Sequence, residues 1–149
     1  TQSLRVPTAT SVRDIPIKVL EENRLLINEH LARKRKGKLS YTHIIAWAIV
    51  RALRKYPQLN DSCTQTANGN YYRIRREHIN LGLAVDTTRS DGSRILVVPS
   101  IKAADTLSFA DFIAKYDELI EKARRGQLTI EDLSGATVTL TNPGMIGTV

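Results

Sequence analysis

Seven consecutive apolar residues, Ile44-Ile-Ala-Trp-Ala-Ile-Val50, lie between a potential helix cap at Ser40 and the cations Arg51, Arg54 and Lys55. A helix that is apolar on every face has to be buried along its front, while its basic end requires water. Pro57 then stops it, because proline can neither donate to a helix nor fit its interior. The remaining chain must therefore supply layers that cover this segment. Ahead of it, Val6-Pro-Thr-Ala-Thr-Ser-Val-Arg-Asp14 alternates roughly and reads as a strand. Pro16 suits the first turn of a helix, since it has no N–H to leave unpaired. Ile17, Leu20, Ile27 and Leu31 then recur at helical spacing opposite Glu21, Glu22, Asn28 and Glu29, predicting an amphipathic surface helix that ends near Lys36.

From Asn60 onward the period shortens. Asp61-Ser-Cys-Thr-Gln-Thr66 reads as a short strand, Asn68-Gly-Asn70 as a hairpin turn, and Tyr71 to Arg75 as the returning strand. Ile79 to Asp86 and Arg94 to Pro99 are two apolar strands around an Asp91-Gly92 turn, with Pro99 and Lys102 expected to leave the sheet. Ser108 can cap a helix whose apolar side is Phe109, Phe112, Ile113, Tyr116, Ile120 and Ala123, and Gly126 ends it. Thr129-Ile-Glu-Asp132 has capping-box spacing and opens at most one turn. Ala136-Thr-Val-Thr-Leu-Thr141 is a Thr-rich strand running into an Asn142-Pro143-Gly144 turn. This mixed order predicts an α+β fold, a mixed sheet with helices packed on one face.

The 149 residues suffice for one core without disulfides or metal, since a chain of this size buries roughly two-thirds of its unfolded surface. The single Cys63 excludes a disulfide framework and fits a reducing, cytoplasmic setting. No apolar run approaches the ~20 residues of a membrane span, which argues against a membrane partner. The first residue is not Met and the last residues are turn formers, so the chain is expected to be incomplete at both ends.

Charge is uneven: residues 1 to 78 hold 15 Lys and Arg against 6 Asp and Glu, and residues 79 to 149 hold 7 against 9. The densest cations are Arg33 to Lys36 with Lys38, and Arg73, Arg75 and Arg76. The first group fits a solvated helix end followed by Gly37 as its C′ residue. The second fits the outer face of a strand beside Tyr71 and Tyr72, which could stack on bases, but no RNA-binding motif accompanies them. A basic face also suits an anionic ligand bearing phosphates. His30, His43 and His78, expected on two helices and a strand, lack metal-ligand spacing, and Cys63 has no CxxC partner, so no metal site is expected. His43, one turn into the buried helix, reads as a satisfied interior histidine, and Cys63 as a strand residue.

Gly126-Gln-Leu-Thr-Ile-Glu-Asp-Leu-Ser-Gly-Ala-Thr-Val-Thr-Leu-Thr-Asn-Pro-Gly144 resembles a signature of the dihydrolipoyl acyltransferase (E2) catalytic domain of 2-oxoacid dehydrogenase complexes. Tyr56-Pro-Gln-Leu-Asn60, Ile79-Asn-Leu-Gly-Leu-Ala-Val-Asp86, Leu96-Val-Val-Pro99, Ala104-Asp105 and Ala123-Arg-Arg-Gly126 resemble further family motifs in the same order. The resemblance runs from about Val6 to the end. Leu-Thr before Asn142, the Thr-Asn-Pro-Gly form and the Val6-Pro-Thr-Ala-Thr opening resemble the succinyltransferase-type domain of actinobacterial multifunctional 2-oxoglutarate dehydrogenase/decarboxylase enzymes.

The resemblance implies a chloramphenicol acetyltransferase-like fold and transfer of succinyl from a dihydrolipoyl arm to coenzyme A, a step of the tricarboxylic acid cycle. Thr141 falls where the family places the hydroxyl that stabilises the oxyanion. Thiamine diphosphate and magnesium are implied only for other domains of the parent. The implied partners are a lipoyl domain, the dehydrogenase and decarboxylase components and further copies of the chain, and nucleic acid is disfavoured. The family's general base lies in a His-Arg-x-x-Asp-Gly motif well beyond the Asn-x-Gly turn, whereas this sequence ends five residues after Gly144. Residues 1–149 are thus expected to be a partial catalytic domain, cut before that histidine and inactive alone. Two other readings stay open: a non-catalytic assembly or docking scaffold with the same fold, and a basic nucleic-acid-binding module resting on Arg33 to Lys38 and Arg73 to Arg76.

Overall fold

The computed structural model of the chain describes residues 9–34, 37–88 and 91–142. They divide between two units, Thr1–Lys38 and Leu39–Val149. The first unit carries one helix, α1 (Lys18–Arg33), capped N-terminally at Ile17 without a side-chain hydrogen bond and C-terminally at Lys34. Pro16 therefore stands before the helix, not in its first turn, and Gly37 is not its C′ residue. Lys36 lies outside the described residues. Ala9 to Ile17 has no regular structure, so the strand expected over Val6 to Asp14 does not form in its described part. A Thr- and Val-rich alternation makes a strand only when a neighbour takes its backbone hydrogen bonds, and among the described residues none does. Along α1 no residue is buried, and Ile17 and Ile27 are exposed.

The second unit opens with α2 (Tyr41–Lys55). Ser40 caps it through its hydroxyl, which accepts the His43 N–H at 3.3 Å, while the Ser40 N–H donates to His43 Nδ1 at 2.9 Å, a capping box with histidine in the returning position. The burial expected along its front is confined to one stripe, His43, Ala46, Val50 and Leu53; Ile45 stays 44% exposed, since the sheet and the third helix cover one side only. Pro57 opens a 3₁₀ turn, Pro57–Asn60. β1 (Ser62–Gln65) and β2 (Tyr71–Ile74) form a separate antiparallel hairpin whose turn uses the left-handed Gly69.

The main sheet is built on β3 (Leu81–Thr88). On one side β4 (Arg94–Val97) and β5 (Ser100–Ile101) pair antiparallel with it in a single register, pairing Val85 with Val97 and Gly82 with Ser100. Pro99 interrupts but does not end this strand: its carbonyl still accepts the Leu83 N–H at 2.8 Å, and the chain re-enters the sheet as β5. On the other side β6 (Val138–Thr141) lies parallel to β3, pairing Leu81 with Val138 and Ala84 with Thr141. Helix α3 (Phe109–Arg124) is capped by Ser108 and ends at Gly126 in a Schellman arrangement, with Gln127 N–H on the Lys122 carbonyl at 2.9 Å.

Leu81 and Leu83 of β3, Ala46, Val50 and Leu53 of α2, and Phe112 and Leu119 of α3 form the core, with Trp47 packed on Phe112 at 5.2 Å between ring centroids. Val138 and Leu140 add to it from β6. The other face of β3 begins with Gly82, where an added Cβ would meet Thr139 Oγ1 and Val98 Cγ1 at 3.0 Å. Only glycine lets β6 and the β4–β5 strand approach so closely there.

A polar knot fastens β6 to β3. The Thr137 hydroxyl donates to Asn60 Oδ1 at 2.6 Å and accepts the Asn80 N–H at 3.1 Å. Asn80 spends both ends of its amide, accepting the Ala103 N–H at 2.8 Å and donating to the Gly135 carbonyl at 2.8 Å. Asn60, which is buried, also donates to the His78 carbonyl. His78 precedes β3 and is not on a strand as expected. Next to this knot, Asp105 accepts the Ile79 N–H at 2.8 Å and faces His78 Nδ1 at 3.3 Å. Burial would raise the Asp105 pKa, but these hydrogen bonds and the His78 charge together hold it below the usual carboxylate value.

Asn80→Ala strands the Ala103 N–H and the Gly135 carbonyl and is expected to cost about 2–4 kcal/mol in urea unfolding. Because the Asp105 pKa is depressed in the fold, its stabilisation is present above the unfolded carboxylate value and is lost as pH falls through the folded one. Asp105→Asn, which keeps an acceptor for Ile79, should flatten the loss of stability below about pH 4.

Candidate active site

Two hollows meet at the end of β6 and share Ala84, Asp86 and Asn142. The first, about 380 Å³, has a floor of Leu83, Val85, Ile120 and Leu140 and polar walls from Thr42, His43, Tyr116, Asp117 and Arg124. His43 is 4% exposed there. Its Nδ1 accepts the Ser40 N–H, which assigns the ring proton to Nε2, and Nε2 donates to Asp117 Oδ1 at 3.0 Å. Tyr116 sits edge-on to the ring at 4.2 Å. Burial, with the Asp117 charge beside it, pushes the Tyr116 phenol above its usual pKa, so it remains a protonated donor at neutral pH. Both nitrogens of His43 are engaged, and protonating Nδ1 would break the capping box. The reading of His43 as a satisfied interior histidine holds.

The second hollow, about 320 Å³, is lined by Ala84, Asp86, Arg94, Leu96, Thr141 and Asn142. Register explains the grouping. Ala84 pairs with Thr141 and Asp86 with Leu96, so these side chains leave the sheet on the face opposite Leu83, Val85 and Leu140. Thr141 is exposed, and its hydroxyl has no hydrogen bond to the described residues. Asn142 ties the end of the strand to α2 by donating to Thr42 Oγ1 at 3.0 Å. Asp86 and Arg94 form a cross-strand ion pair.

The other residues marked by sequence lie apart from this site. Cys63 is exposed on β1, a strand residue as expected. His30 is on α1. Arg73 pairs with Asp61 at 3.2 Å and Arg76 bonds Ser62 Oγ at 3.0 Å, so two of the three hairpin arginines brace the hairpin itself. Arg33 pairs with Glu29. Among the described residues no group of three or more His, Cys, Asp or Glu could hold a metal ion. Pro143 to Val149 lie outside the described residues. Sequence reasoning missed Asp117, Arg124 and Arg94, ordinary charged positions whose only signal is the fold that joins them to the strand ends.

A mixed sheet thus carries two helices on its apolar face, and Thr141 stands on the other face at the end of β6. The chain belongs to the 2-oxoacid dehydrogenases acyltransferase (catalytic domain) family, which matches residues 1–149. It is 52% identical over 147 residues to the multifunctional 2-oxoglutarate metabolism enzyme of Mycobacterium sp. (strain JLS). To the 2-oxoglutarate dehydrogenase E1/E2 component of Corynebacterium glutamicum it is 49% identical over 146 residues. These matches take in 99% and 98% of this chain and 12% of each relative's length. The fold is similar to the cubic core of a pyruvate dehydrogenase multienzyme complex and to the dihydrolipoamide acetyltransferase of Azotobacter vinelandii. For each the TM-score is 0.72 at 32% identity, covering 89% of this chain and 51% of that one.

His43→Ala removes the capping-box return bond and the Asp117 bond, and should cost about 1–3 kcal/mol of stability. Urea unfolding of the variant against the wild type measures that loss.

Proposed function

We propose that this chain is the acyltransferase part of a larger 2-oxoglutarate-oxidising enzyme, moving a succinyl group from a dihydrolipoyl arm to coenzyme A. The observation that carries the reading is Thr141, an unspent hydroxyl at the end of a strand fixed on both sides, opening into a groove. In the reaction the coenzyme A thiol loses its proton to a base, and its sulfur attacks the thioester carbonyl. The carbonyl oxygen becomes an oxyanion, to which Thr141 donates. Collapse re-forms the carbonyl, breaks the bond to the lipoyl sulfur and returns a proton to that sulfur. A donor placed in advance costs no reorganisation as charge develops, and is worth about 2.7–4 kcal/mol of transition-state stabilisation.

The base is not His43, whose nitrogens are both committed, nor His78, which lines neither hollow at the end of β6. It is supplied by a histidine outside these residues, from the continuation of the domain or from a neighbouring subunit. Residues 1–149 then act as a partial catalytic domain. The identities to multifunctional 2-oxoglutarate enzymes support succinyl as the acyl group, a lipoyl domain and the dehydrogenase and decarboxylase components as partners, and a cytoplasmic location. The likeness to a multienzyme core supports assembly with further copies. Thiamine diphosphate and magnesium serve other parts of such a parent, and no step at Thr141 uses them.

In the full-length parent, Thr141→Ala should slow succinyl transfer by about 100-fold or more, and Thr141→Ser should restore most of it. An unchanged rate in Thr141→Ala would remove Thr141 from the mechanism, and the absence of any transfer by the wild-type parent would favour the scaffold reading.

A further inference from the structure

The structure assigns to Arg94 the recognition of a second carboxylate, the distal end of a dicarboxylic acyl group whose thioester carbonyl lies at Thr141, with Asp86 as the residue that positions it. This rests on the acyl-transfer reading and names the residue that selects its substrate.

Register brings Arg94 and Asp86 to the face of Thr141. Thr88 pairs with Arg94 and Asp86 with Leu96, so Arg94 and Asp86 are diagonal neighbours on the sheet face that carries Thr141. Strands lie ~4.8 Å apart and two residues advance ~6.8 Å, which puts the Thr141 and Asp86 Cα atoms on the order of 8 Å apart. A chain of two methylenes, with a hydrogen bond at each end, spans that distance once the Arg94 side chain reaches back toward Asp86.

The second point is how Arg94 is held. Asp86 takes only one edge of the guanidinium: Nε donates to Oδ1 at 3.3 Å and Nη2 to Oδ2. Guanidinium carries five N–H donors, and Nη1 has no partner among the described residues. Asp86 thus fixes the plane of the fork while leaving its other edge for a carboxylate, a planar, two-pronged recognition that lysine cannot reproduce. Arg94 is the one cation among the described residues lining this hollow, and the rest of the lining near it, Ala84, Ile95 and Leu96, suits methylenes. The Asp86 charge also works against a carboxylate that Arg94 does not meet. An acetyl group has no distal carboxylate and gains nothing from the arginine.

The test uses the full-length parent and compares succinyl-coenzyme A with acetyl-coenzyme A as donors to dihydrolipoamide. Arg94→Gln should lower kcat/KM for succinyl by about 10- to 100-fold, mostly through KM, while acetyl changes less than threefold. Arg94→Lys should recover part of the succinyl loss. Asp86→Asn should raise KM for succinyl several-fold, leaving kcat nearly unchanged. Both side chains are exposed, at 78% and 45%, so the melting temperature should hold. Equal losses for both acyl groups, or no loss for either, would overturn the assignment of Arg94. If the wild-type parent transfers neither group, the acyl-transfer reading itself fails and takes the assignment with it; if Thr141→Ala leaves both rates unchanged, the thioester carbonyl does not lie at Thr141 and the assignment built on that position falls.

Discussion

The fold and its site depend on how β6 is held against β3. The two strands are parallel, so no tight hairpin sets their pairing, and a slip of one residue would exchange the two faces of β6. Leu140 would then point into the groove and Thr141 into the core. Thr137 prevents this at the entry to the strand, because its hydroxyl engages Asn60 and Asn80 together while Asn80 holds Gly135 and Ala103. Gly82 permits the close approach, and Asn142 pins the far end to α2. Thr141 is held between two fixed points.

The polar groups near β6 divide by whether their hydrogen-bonding capacity is already used. His43 looks chemical by residue type, yet its two nitrogens close the cap of α2 and reach Asp117, which makes it part of the frame. Asn60, Asn80 and Thr137 are likewise spent on backbone and on one another. Thr141 and the outer edge of Arg94 keep donors available, and both open onto the same face of the sheet. Keeping donors free on a rigid strand is what electrostatic preorganisation requires.

Much of this was legible in the sequence. The period changes located β1 to β4, β6 and all three helices, and the capping signals at Ser40, Ser108 and Thr129 each form. Thr141 was reached only through resemblance, since strand threonines are common. Where reading failed, the missing information was tertiary. The described part of the alternation, Ala9 to Asp14, has no partner strand among the described residues, and Pro99 could stay in the sheet because its carbonyl still had Leu83 to accept from. Asp117 meets His43 across 74 positions of sequence, and the Asp86 and Arg94 pairing depends on a register that composition does not encode.

A double-mutant cycle shows whether the Thr137 knot places the Thr141 hydroxyl. Thr137→Val keeps shape and removes the hydroxyl; succinyl transfer would be measured for it, for Thr141→Ala and for the pair in the full-length parent. Thr137→Val should slow transfer when Thr141 is present and add little once Thr141 is alanine, since both then remove the same stabilisation. Independent, multiplying losses would contradict it, showing that Thr137 serves stability alone.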